Sequence, residues 1–186
     1  MKRTRMRSMV IMVALVGSLS GSAASAQDNK STVKVPGGLS FSEFKGYESW
    51  EVISLSKSDQ ALAAIVGNAA MIEAYKQGIP TNGKPFPDGA KMAKIHWVPK
   101  QSATAPGPTT VPGRLHDVDF MVKDSKRFKD SGGWGYGAFE YDSASGKFRP
   151  ANATDAPPQS NDAKCGFGCH TIVLKRDYVF TEYGQR

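Results

Sequence analysis

The sequence predicts a single α+β domain, built mainly on an antiparallel β-sheet with a few short helices. Three observations carry that expectation. Several segments alternate apolar and polar residues with a period of two, one segment has clear helix start and stop signals, and Pro- and Gly-containing turns separate them. No internal repeat interrupts the pattern, and layers of this kind fix an architecture without fixing a chemistry.

The chain opens with a targeting pattern. Lys2, Arg3, Arg5 and Arg7 precede an apolar run from Met9 to Val16, and small residues lead to Ala24-Ser25-Ala26. This reads as a cleaved signal peptide over residues 1–26, because the apolar run is far shorter than the roughly 20 residues a spanning helix needs. Cleavage leaves about 160 residues, one ordinary domain with enough chain to bury a core. It also removes four positive charges, so the formal net charge falls from +7 to about +3, too mild to point to nucleic acid. An exported protein with no membrane insertion after cleavage is expected.

Residues 27–48 read as an N-terminal arm, mobile or loosely docked along its polar, glycine-ended stretch from Gln27 to Gly38. The principal domain then covers residues 49–186. Ser49 to Ser56 (SWEVISLS) reads as a strand buried on much of both faces. Asn68 to Gly78 (NAAMIEAYKQG) is the clearest helix, with Asn68 as N-cap and Lys76, Gln77 and Gly78 at its end. A Pro87–Gly89 turn leads into a strand from Ala90 to Val98, where Ala93, Ile95 and Trp97 share one face and Met92, Lys94 and His96 the other.

Pro99 to Gly113 holds four prolines and is expected to be an ordered loop or edge connection. His116 to Asp124 alternates again, with Val118, Phe120 and Val122 opposed to Asp117, Asp119 and Met121. Trp134 to Asp142 supplies another strand. Trp97, Phe120, Trp134, Tyr136 and Phe139 are spaced as strand-core residues.

The chemistry concentrates in CGFGCH, Cys165 to His170, which contains the only two cysteines. Haem attachment ordinarily uses C-x-x-C-H, and here Gly166, Phe167 and Gly168 make the spacing one residue longer. Two readings stand on the residues alone: a stretched haem site whose glycines allow a bulge, or a small Cys165–Cys169 disulfide loop beside a surface histidine. Zinc fits less well, since four ligands at metal spacing are lacking.

Four segments, FPDGAKMAKIHW, DVDFMVKDSKRF, GWGYGAFEYD and CGFGCHTIVLKRDYVFT, stand in an order and spacing that resembles the cytochrome P-460 family from about Ser49 to Tyr183. The resemblance implies a periplasmic, usually homodimeric haem domain over residues 49–186. It would carry one covalent haem c on Cys165 and Cys169, with His170 as proximal iron ligand and an open distal position. It implies a haem cross-link at Lys94, with Lys91 a poorer match, and a distal proton acceptor at Asp119, where the family's enzymes commonly carry the longer glutamate.

Two behaviours follow from the resemblance. One is oxidation of hydroxylamine, with a soluble electron carrier as partner. The other is non-catalytic nitric oxide binding, as in the related cytochrome c′-β proteins, which a distal pocket crowded by Phe120 would favour. His96 and His116 read as structural or exposed, with His96 the better outsider because it shares the Lys94 face. Arg114 and Arg127 read as solvated charges. Phe86, Tyr178 and Phe180 are candidates for the wall around the ring.

Overall fold

A computed structural model describes residues 29–35, 38–151 and 161–186, with residues 161–165 by backbone alone. The expected leader lies outside the described residues. Six strands form one antiparallel sheet in sequence order: β1 (Glu51–Lys57), β2 (Leu62–Gly67), β3 (Lys91–Gln101), β4 (Thr110–Lys123), β5 (Trp134–Asp142) and β6 (Lys147–Pro150). Helix α1 (Ala69–Lys76) lies between β2 and β3, and α2 (Asn161–His170) follows β6. No helix among the described residues is long and apolar enough to cross a membrane.

The alternation expected of the strands produces two separate cores, one on each sheet face. Ala93, Val118, Phe120, Val122 and Phe139 face a layer formed by Val35, Leu39, Phe41, Phe44 and Tyr47. Where it is described, the N-terminal arm is therefore packed as a lid on the sheet, with Val35 and Leu39 fully buried. Phe41 meets Phe120 and Phe139 edge-on, and Phe44 stacks on Phe120 at 4.1 Å between centroids. Aromatic pairs in these geometries add roughly 0.5–1.5 kcal/mol each beyond the area they bury.

The opposite face carries Ile65, Met92, Met121, Trp134 and Tyr136, and packs against α1, Phe86 and Val179. Asn68 caps α1, its Oδ1 accepting from the Met71 amide at 3.1 Å, and also accepts from the Lys91 amide at 3.0 Å, tying the helix start to β3. Gly78 then leaves the helix at φ +83, a conformation glycine adopts without steric cost.

Four elements differ from expectation. β1 is an edge strand in which Ile53 alone is buried, because a bulge between Val52 and Ser54 turns Ile53 inward. The proline-rich segment is a loop only over residues 102–109: on either side β3 and β4 continue as a ribbon through Pro99↔Pro112, Lys100↔Val111 and Gln101↔Thr110. The pairings of β2 and β5 stop at Trp97 and Asp117, so the ribbon's outer edges are unpaired and a missing proline N–H breaks no ladder there. β2 itself, sparse in alternation because both faces are covered, was not anticipated from its sequence, nor was β6.

Candidate functional site

Strand register assembles the site. Ser54, Ile65, Lys94, Asp119 and Ala138 are consecutive cross-strand partners, forming one row across five strands. Met92, Met121 and Tyr136 form the adjacent row on the same face. Both rows line a cavity of about 660 Å3, and Gly166, Cys169, His170, Val179 and Phe180 also line it. The volume falls within the roughly 300–1,000 Å3 usual for small-molecule and cofactor sites.

Lys94 and Asp119 are direct register partners, so two opposite charges stand side by side on an otherwise largely apolar floor. The Asp119 side chain is about half exposed, and its Oδ2 lies 3.8 Å from His96 Nδ1. That same nitrogen hydrogen-bonds to Asp117, whose other oxygen lies 2.6 Å from His116 Nδ1. Burial pushes the Asp117 carboxyl up, but the hydrogen bonds and charge of His96, then those of His116, outweigh it and hold the group below its ordinary value. His96 is thus a neighbour of the pocket carboxylate anchored from behind, while His116 is exposed.

His170 closes α2. Its Nδ1–H donates to the Tyr178 carbonyl at 2.5 Å, which leaves Nε2 as the nitrogen able to coordinate a metal. The ring sits between Tyr136 at 5.1 Å and Phe180 at 4.9 Å. Burial pushes the imidazole pKa down; the Tyr178 hydrogen bond opposes this and the Lys94 charge adds to it, and the balance favours the neutral, ligating form.

Cys169 carries a free thiol beside His170. Cys165 begins the preceding turn of α2, and its side chain lies outside the described residues. The motif contains no bulge: α2 runs through all six residues, and neither Gly166 nor Gly168 has a positive φ. Gly166 instead allows close approach, since a Cβ there would stand 3.1 Å from Tyr136 Cγ and Cδ1.

The other candidates separate cleanly. Lys91 belongs to the arm side, donating to the Glu43 carbonyl at 2.6 Å with its ammonium 5.6 Å from the Phe44 ring centre. Arg127 pairs with Glu43 at 2.7 Å, and Arg114 is exposed. Phe120 is among the residues lining the cavity, but its ring packs in the opposite core against Phe44 and does not crowd the pocket. Of the proposed wall residues, Phe180 lines the cavity, while Phe86 packs between Tyr75 and Trp134 and Tyr178 packs on Phe167.

Met92, Met121 and Tyr136 were legible as wall residues only through strand parity. Val179 and Thr181 lie on a tail with no periodicity to reveal them. That tail is fixed by Tyr75 Oη, 2.9 Å from Thr181 Oγ1, and by stacking of Tyr75 on Tyr183 at 5.6 Å.

The residues fit a haem. An apolar floor of Ile65, Met92 and Met121 suits a flat macrocycle, a neutral imidazole with Nε2 available suits its iron, and a free thiol stands one residue away. Cys169 and His170 would hold the group, with Cys165 one turn earlier on the same helix. No curated protein matches the sequence. A family model described as Cytochrome P460 matches residues 44–181, which include every residue of the two sheet rows together with Cys165, Cys169 and His170. A cytochrome family implies haem, in agreement with the cavity, and a match over most of the chain means that this protein belongs to the cytochrome P460 family.

Proposed function

We propose that the protein is an exported, periplasmic c-type cytochrome with one haem attached through Cys165 and Cys169, and that it oxidises hydroxylamine. The observation that carries this reading is the convergence of Lys94, Asp119 and His170 on one cavity from three different elements. Haem supplies a redox-active iron that can bind a substrate nitrogen and pass electrons to a soluble carrier.

The chain's own residues do the rest. His170, oriented by the Tyr178 carbonyl, presents Nε2 from α2. Asp119 accepts a proton from the bound substrate and, half exposed, returns it to solvent. Lys94, its register neighbour, is the residue that would join the ring edge in this reading. Ile65, Met92, Met121 and Val179 limit water in the pocket. A homodimer is the expected assembly.

The test is the intact mass of the mature protein, a tryptic map and a hydroxylamine turnover assay with a soluble acceptor. One added haem mass, a branched peptide joining the Lys94 and Cys165–Cys169 regions, and turnover are expected. Absence of haem mass would reject the reading. Unbranched haem peptides with reversible nitric oxide binding and no turnover would replace it with the non-catalytic binder.

A further inference from the structure

The residue before the carbonyl that orients His170 is half of a buried ion pair. Lys123 ends β4 and points to the cavity side of the sheet, yet its ammonium does not enter the cavity. It donates to both carboxylate oxygens of Asp177, at 2.7 and 2.9 Å, and to the Gly132 carbonyl at 3.0 Å, and lies 5.1 Å from the Trp134 ring centre. The two side chains are 7% and 11% exposed. Asp177 Oδ2 also accepts from the Phe86 amide at 2.8 Å, so each charge is well hydrogen-bonded within the fold.

What the pair holds is unusual backbone. Asp177 and Tyr178 adopt φ +49 and +64, the only non-glycine residues in the left-handed region among those described. Side chains rarely tolerate that region, and two in succession persist only where the surroundings over-determine them. Here they turn the chain back so that the Tyr178 carbonyl meets His170, eight residues upstream. The Tyr178 ring seats over Gly132, where an added Cβ would lie 2.1 Å from Cε2. Gly132 thus touches both halves of the device, since its carbonyl accepts from Lys123.

We propose that the Lys123–Asp177 ion pair is a positioning device for the proximal histidine, locking the Asp177–Tyr178 turn so that the Tyr178 carbonyl sets the ring orientation and donor strength of His170. The inference rests on the reading of His170 as the iron ligand. An imidazole whose Nδ1–H is held by a well-placed acceptor is a stronger donor through Nε2, so loosening the turn weakens the bond to iron and stabilises ferric haem less.

The experiment is resonance Raman spectroscopy of the ferrous haem protein, with the reduction potential and thermal unfolding measured on the same samples. The variants are Lys123→Met, Asp177→Asn, and both together. Either single change leaves a buried partner without its counter-charge and so costs stability; the double variant leaves no buried charge, and the asparagine carbonyl can still accept from Phe86. The expected result is an iron–histidine stretching band moved to lower frequency and a raised potential in every folded variant. A band abolished by His170→Ala but unmoved in the folded variants, whatever their loss of thermal stability, overturns the inference alone. A wild-type band that survives His170→Ala overturns the ligand assignment and the inference with it.

Discussion

Asp119 reaches the pocket floor because alternation along β4 sends it to the face opposite Val118 and Phe120. Its neighbours include Lys94 beside it in register, His96 Nδ1 at 3.8 Å, and Asp117 beyond His96. Replacing the carboxylate by an amide preserves shape and removes the proton acceptor. Asp119→Asn should therefore retain haem and nitric oxide binding, yet slow hydroxylamine oxidation by about 10²-fold or more, the lower range for loss of a positioned general base. Steady-state turnover alongside nitric oxide titration checks this, and undiminished turnover would remove Asp119 from the mechanism. The face that Lys94 and Asp119 occupy was legible in the sequence, since parity alone assigns it. Their pairing was not, because a strand's alternation carries no information about the register of its neighbour. The ion pair between Lys123 and Asp177 was equally hidden, as 54 residues separate its members and nothing in the two segments that contain them says that they meet.

At the scale of elements, the placement of α2 decides whether His170 and Cys169 reach the sheet's cavity. The helix approaches β5 through Gly166, whose missing side chain leaves room for Tyr136. Gly166→Val would place a branched side chain where even a Cβ stands 3.1 Å from the ring, forcing the helix outward. We expect a loss of about 1–3 kcal/mol in chemical denaturation, the usual cost of overpacking. A perturbed haem spectrum should accompany it, since His170 shares the helix; an unchanged stability and spectrum would mean that α2 is not seated this way. The glycines drew attention in the sequence, but backbone freedom was the wrong reason for them. Close approach is visible only once β5 lies alongside. β2 escaped notice for a related reason: with Ala63, Ile65 and Val66 all buried, its two faces give no polar alternation to read. The strand from Trp134 to Asp142 matched its expected limits, because clear alternation and flanking glycines and turn residues marked both ends.

Across the whole molecule, the sheet separates two tasks that share one strand. The arm-side core holds Phe120, 1% exposed, against Phe41, Phe44, Tyr47 and Phe139, with ring centres 4.1 to 5.8 Å away. The other face presents Met121, the next residue, to the cavity. Burial of the first face relies on the N-terminal arm, so the arm contributes to stability without touching the site. Substitutions at adjacent positions should consequently have different signatures. Phe120→Ala removes a ring from a closed aromatic cluster and should cost about 3–5 kcal/mol of unfolding free energy. Its effect on nitric oxide affinity in the folded protein should be negligible, because the void opens away from the cavity. Met121→Ala also removes buried contacts, but it enlarges the pocket itself, and should change nitric oxide affinity even where the loss of stability is smaller. Denaturant titration and ligand titration on both variants test the division. If Phe120→Ala altered affinity as much as Met121→Ala, the two faces would be mechanically coupled through β4 rather than independent, and the arm would have to be counted among the elements that tune the haem pocket.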